Sequence, residues 1–244
     1  VTAAVLAAGE VVVPGRLHGV TASFEQGRIS AICGPNGAGK STLLQVLAGL
    51  IETTAGRVEL GGAPLPAGRD RARRIGYLPQ RGEVAWDLSV AGLVELGRLP
   101  HVDRDPQAVA AALAATGLGA RASRPLSTLS GGERARALLA RVLAGQPQWI
   151  LADEPLAALD LAHQLALLAH LREAAAAGAG IVLVLHDLAL AMNHADHVWV
   201  LDSGRVAAAG PPEQALAGNV IRQVWGVETA WLGDPGARAL AAQR

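Results

Sequence analysis

The sequence predicts an α/β fold: a mainly parallel sheet with crossover helices, an N-terminal antiparallel β subdomain before it and a helical subdomain inserted into it. Three observations carry this expectation. Beyond Gly145, short apolar runs alternate with longer periodic stretches, the pattern of a parallel sheet whose strands return through helices. Arg28 to Cys33 is an apolar-leaning run that leads straight into a glycine-rich loop. From about Arg81 to Gly145 the Ala and Leu spacing is helical throughout.

Taken in order, short β-rich runs fill the first 33 residues, and a helix is expected from Lys40 to about Leu50. Strands follow around Arg57–Gly61 and Ile75–Leu78, then the helical block. Trp149–Ala152, Ile181–Leu185 and Val198–Leu201 are the next strands, separated by helices over Leu159–Ala176 and Leu188–His194. The 244 residues suit a single domain with lobes. About 1–80 and 146–210 form the α/β core with its β subdomain, about 81–145 the helical subdomain, and 211–244 a small helix-rich appendage.

Composition narrows the class. Hydrophobic residues make up 51% of the chain, ample for a packed core and unlike a disordered chain. The 21 basic and 21 acidic residues balance, so no global field draws the chain to nucleic acid or an anionic bilayer. Cys33 has no intrachain partner and suits a reducing, cytosolic setting as a small apolar packing residue. Val1–Gly9 lacks the basic start of a leader and suits a first strand. The uncharged apolar run Ala174–Leu185 falls well short of the ~20 residues that span a bilayer.

Gly34-Pro35-Asn36-Gly37-Ala38-Gly39-Lys40-Ser41 matches the P-loop pattern G-x-x-x-x-G-K-[ST], and it sits between a buried strand and a helix as that pattern requires. The fold is therefore expected to be a P-loop NTPase core. Glycines let backbone N–H groups wrap a phosphate, and the following helix adds roughly +0.5 elementary charge at its N-terminus. Lys40 would neutralise the β/γ-phosphates, Ser41 would offer its hydroxyl to Mg²⁺, and Thr42 would reach a phosphate from the first helical turn. Lys40 is the only lysine among the 21 basic residues, so a compact ammonium stands here in a chain that otherwise uses arginine.

Trp149-Ile150-Leu151-Ala152-Asp153-Glu154 is an apolar strand ending in two carboxylates, tolerable only at a solvent-facing carboxyl end. Asp153 would hold Mg²⁺ through water and Glu154 would polarise the water that attacks the γ-phosphate. The alternative is that the pair caps the next helix. Leu129-Ser130-Gly131-Gly132-Glu133 offers a hydroxyl, two glycines and a helix start near Gly132: either a second phosphate-binding surface or a plain serine cap.

At these five residues the sequence resembles the ABC ATPase family. The resemblance implies ATP as the nucleotide, and a homodimer in which this segment of one subunit closes over the γ-phosphate held by the P-loop of the other. It further implies that Gln80, in Tyr77-Leu78-Pro79-Gln80, joins Mg²⁺ to the helical lobe. Asp160 resembles the dimer-contact aspartate, with Ala158 where the family often has serine, and His186 resembles the histidine that senses the γ-phosphate. The family's upstream adenine-stacking aromatic has no counterpart, and the aliphatic stretch Val11–Pro14 is expected to receive the base instead.

Gly97-Arg98-Leu99-Pro100-His101 resembles a segment of importer ATPases for iron-siderophore, haem and cobalamin uptake; physically it also reads as a Gly-Pro stop between two helices. The resemblance implies permease subunits, a periplasmic or surface binding protein, and a peripheral place on the cytoplasmic side of the membrane. A soluble ATP-dependent dimerising switch and an export ATPase are the competing classes. His194 with His197, and His163 with His170, lack a third ligand at recognisable spacing, and the tryptophans are expected to anchor core or interfaces.

Overall fold

A computed structural model describes residues 4–80, 87–157 and 159–242. The chain opens with β1 (Val5–Val13) and β2 (Leu17–Glu25), continues through β3 (Ile29–Cys33) and helix α1 (Lys40–Leu47), then adds β4 (Ala55–Leu60) and β5 (Ala63–Pro64). β1 pairs antiparallel with both β2 and β4, giving a four-stranded sheet in the order β2-β1-β4-β5. Buried residues recur along β2 at nearly every second or third position, as expected of a strand with one face on a core. That core joins Leu6, Leu17, Val20 and Phe24 to Leu43, Leu44 and Leu47 of α1.

After α2 (Gly68–Arg74) and β6 (Ile75–Leu78) comes the helical subdomain. It holds α3 (Val90–Glu95), α4 (Pro106–Ala115) and α5 (Gly131–Ala144), with 3-10 turns at Leu96–His101, Gly119–Arg121 and Leu126–Thr128. The expectation of helix throughout is thus corrected: Pro100, Pro106 and Pro125 deny the ladder its donors, and the chain turns at each. Residues 81–86, with Trp86, and Ala158 lie outside the described part of the structure. Helix α4 is closed at its start by Asp105, whose carboxylate accepts from the Gln107 and Ala108 N–H groups, with Pro106 at the first helical position.

The chain then alternates through β7 (Trp149–Asp153), α6 (Leu161–Ala176), β8 (Gly180–Val184), α7 (Leu188–His194), β9 (His197–Asp202) and β10 (Arg205–Gly210). The second sheet runs β10-β9-β3-β8-β7-β6, parallel except for the β10 edge. Every residue of β3, β7 and β8 is buried, which is why these strands are nearly continuous apolar runs.

The segment after Pro211 is partly helical, with α8 (Pro212–Ala215) and α9 (Gly218–Trp225), and then forms a hairpin of β11 (Thr229–Leu232) and β12 (Ala239–Ala242) that a helix-rich reading misses. Trp231 fastens it by donating its indole N–H to the Leu216 carbonyl at 2.8 Å. Among the described residues no helix is long and apolar enough to cross a membrane.

Candidate active site

The carboxyl ends of β3, β8, β7 and β6 point the same way, so the loops leaving them share one crevice. The residues after β3 form the P-loop. Its glycines are there because backbone crowds it: a Cβ on Gly34 would lie 2.2 Å from the Leu201 carbonyl oxygen, and one on Gly39 2.8 Å from that of Arg16. Lys40 opens α1 and curls back, donating to the carbonyls of Gly34 and Pro35 at 2.8 and 2.9 Å. Burial pulls its ammonium below the usual lysine range, opposed by the charges of Glu154, Cys33 and Asp153.

Two carboxylates face this cation from the end of β7. Asp153 is 3% exposed, and its Oδ1 has no hydrogen-bond partner among the described residues. Burial raises its pKa, with the Ser41 hydroxyl beside it acting in the opposite direction. Glu154 leaves the strand in a left-handed conformation, φ +51°, which is unfavourable for a residue with a Cβ. That kink carries its carboxylate to the end of β8, where Oε1 meets His186 Nε2 at 2.5 Å. One cavity of about 360 Å³ is lined by Asn36–Thr42, Gln80, Glu154, His186 and Arg16.

A cation on a glycine-wrapped loop, a carboxylate–imidazole pair opposite it and a buried unpaired carboxylate at its base together suit polyphosphate hydrolysis. The ABC transporter family matches residues 17–157. This chain is an ABC transporter ATPase. It is 49% identical over 206 residues to the hemin import ATP-binding protein HmuV of Nocardia farcinica, covering 82% of this chain and 72% of the relative. It is 40% identical to the cobalamin import ATP-binding protein BtuD of Halobacterium salinarum, covering 92% of this chain and 58% of that protein. Among solved structures, cbiO1 of Clostridium perfringens, part of the ABC transporter complex cbiONQ, superposes with a TM-score of 0.76 at 28% identity, covering 90% of this chain and 93% of that one.

The ATPase keeps its other sequence-marked residues away from this cavity. Ser130, Gly132 and Glu133 line a second cavity of about 270 Å³ with Arg136, Leu159, Asp160 and His163, and the two cavities share no residue. Ser130 caps α5: its Oγ accepts from the Glu133 N–H at 3.2 Å while the Glu133 carboxylate accepts from the Ser130 N–H at 2.9 Å. Asp160 caps α6 in the same way and holds His163 Nδ1 at 2.7 Å. Leu129 packs against the apolar core beneath, and Gly131 begins α5 with open space above its Cα. The helix-capping alternative for Asp153 and Glu154 does not hold, since α6 is capped by Asp160.

The residues fit a Mg²⁺ ion: the unpartnered Asp153 Oδ1 sits beside Ser41, and Gln80 lines the same crevice. Val11 is wholly buried in the β-subdomain core and none of Val11–Pro14 lines the cavity; Arg16 does. Sequence reasoning missed Arg16 because nothing in its neighbourhood distinguishes it from the other arginines of an arginine-rich chain.

Proposed function

We propose that this ATPase works as a homodimer that drives a membrane importer of an iron chelate or metal-tetrapyrrole, haem foremost, with cobalamin and iron-siderophore as the related cargoes. The observation that carries the catalytic part is the Glu154–His186 pair standing across from Lys40. Lys40, the P-loop N–H groups and Thr42 hold the phosphates; Ser41, Asp153 and Gln80 hold Mg²⁺, which supplies charge neutralisation on the transferred phosphoryl group. Glu154 accepts the proton of the attacking water, and His186 fixes the Glu154 carboxylate and contacts the γ-phosphate. Ser130–Glu133 and Asp160 of the second copy close the site.

Import and cargo rest on the relatives named for hemin and cobalamin import. A docking face for permease subunits, on the cytoplasmic side of the membrane, is offered by the Gly97–His101 segment. Arg98, 4% exposed, binds Asp103 through two parallel bonds of 2.8 Å and donates to the Ala144 carbonyl, and His101 meets the Gly145 carbonyl at 2.9 Å. This pins the turn against the end of α5 and leaves Leu99, 66% exposed, on the rim of a groove of about 400 Å³ with Tyr77, Leu96 and Pro100. A periplasmic or surface binding protein would deliver the cargo to the permease.

Glu154→Gln is expected to lower turnover by about 10²-fold or more, since it removes a water-activating carboxylate, and to accumulate an ATP-bound dimer in sedimentation runs; near-normal turnover sinks the assignment. Leu99→Glu is expected to abolish stimulation by the reconstituted permease while leaving ATP affinity alone. Unchanged stimulation removes the docking face.

A further inference from the structure

The catalytic groups and Arg16 approach the P-loop from opposite sides of its strand. Gln80, Glu154 and His186 follow β6, β7 and β8, which lie on one side of β3; β9 and β10 lie on the other. The turn between β1 and β2 rests on that second side. The His18 N–H donates to the Gly204 carbonyl at 2.9 Å, and the Gly204 N–H donates to the Ala38 carbonyl at 3.1 Å, so the β9–β10 turn bridges the hairpin and the P-loop. Arg16 itself is closed into the turn by its N–H bond to the Val13 carbonyl at 2.9 Å, and its own carbonyl presses on Gly39. Its backbone is therefore held at the phosphate cavity while its side chain, exposed, has no hydrogen bond or ion pair among the described residues.

We propose that Arg16 is the residue that receives the adenine, its planar guanidinium stacking on the purine. The proposal rests on the nucleotide reading above. A triphosphate with its terminal phosphate at Glu154 and His186 must extend its nucleoside across β3 toward β9 and β10. There Arg16 is the residue upstream of the P-loop that reaches the cavity, and the one aromatic ring among the cavity's described lining residues, the His186 imidazole, lies at the opposite, γ-phosphate end. A guanidinium is flat, weakly hydrated and stacks on π-systems, so it can do for a base what a ring does. It also makes this position tolerant of other purines, because stacking reads the face of a base and not its edge.

The test is equilibrium binding of ATP and of inorganic tripolyphosphate, which lacks the base, to the full chain and three variants. Arg16→Ala is expected to weaken ATP by about three- to thirtyfold and to leave tripolyphosphate within about twofold of the parent chain. Arg16→Tyr restores ATP binding because it supplies a plane; Arg16→Lys, which keeps the charge and loses the plane, does not. Equal losses for both ligands, or rescue by lysine, would place Arg16 on the phosphates and overturn the proposal, as would an unchanged ATP affinity in Arg16→Ala. Failure of the underlying reading shows elsewhere: Lys40→Ala would then leave both ligands unaffected.

Discussion

The P-loop crevice and the Ser130–Glu133 turn are both suited to phosphate, yet they are built on opposite plans. In the crevice, charges are buried and incompletely matched: Lys40 has only carbonyls to donate to, and Asp153 Oδ1 has no partner among the described residues. Such an arrangement is unfavourable on its own and becomes favourable when an anion and a cation enter. In the turn, the side chains of Ser130 and Glu133 are satisfied by each other's backbone N–H groups, and the surface lies open. A region in internal deficit is suited to a ligand of its own; a capped and exposed one is suited to being brought to another's. The proposed pairing of two copies builds on that difference.

The comparison breaks most sharply at Lys40. Lys40→Ala should weaken ATP by about 10²-fold or more, the scale for truncating one member of a buried charge pair, in a titration of the isolated chain. A loss under about threefold would mean the crevice is not in deficit. Ser130→Glu should do the converse, leaving ATP affinity of the single chain within about twofold and abolishing the ATP-dependent dimer, since a carboxylate would then face the partner's phosphates. If the dimer persists, the turn is a helix cap and nothing more.

The smallest effect concerns acid. Glu133 is held below the usual carboxylate range, first by its bond from the Ser130 N–H and then by Arg121. A depressed folded-state pKa gives stability that is full above the unfolded value near 4.3 and fades as pH falls through the folded one. The melting-temperature gap between the parent chain and Glu133→Ala should accordingly be present at neutral pH and narrow as pH falls below the unfolded value. A gap that is flat with pH would show that the capping pair does not depend on charge.

Much of the sheet is legible in the sequence, because strands covered on both faces must be apolar along their whole length, as Ile29–Cys33 and Ile181–Val184 are. The P-loop is legible for a similar reason: close backbone approach admits only glycine at positions such as Gly34. The Glu154–His186 contact is different. It depends on β7 and β8 being neighbours, a fact of strand order that spacing does not contain and that only the family resemblance suggests. Arg16 is more hidden still, since the turn that sets it is braced by Gly204, far along the chain. The closing hairpin escaped because Ala239–Ala242 is too short and uniform to show a strand period. Arg98, read as part of a cue to cargo class, proves to be an internal brace.

The left-handed backbone at Glu154 sets evolution two tasks that pull apart. Asparagine or glycine would sit at that corner with about 1–2 kcal/mol less torsional penalty, so selection for heat resistance alone would drift toward a chain that melts later and lacks the proposed water-activating carboxylate. A glutamate that survives there does so against the φ preference of a residue with a Cβ, and thermostable variants gathered without an activity screen should be enriched for its loss.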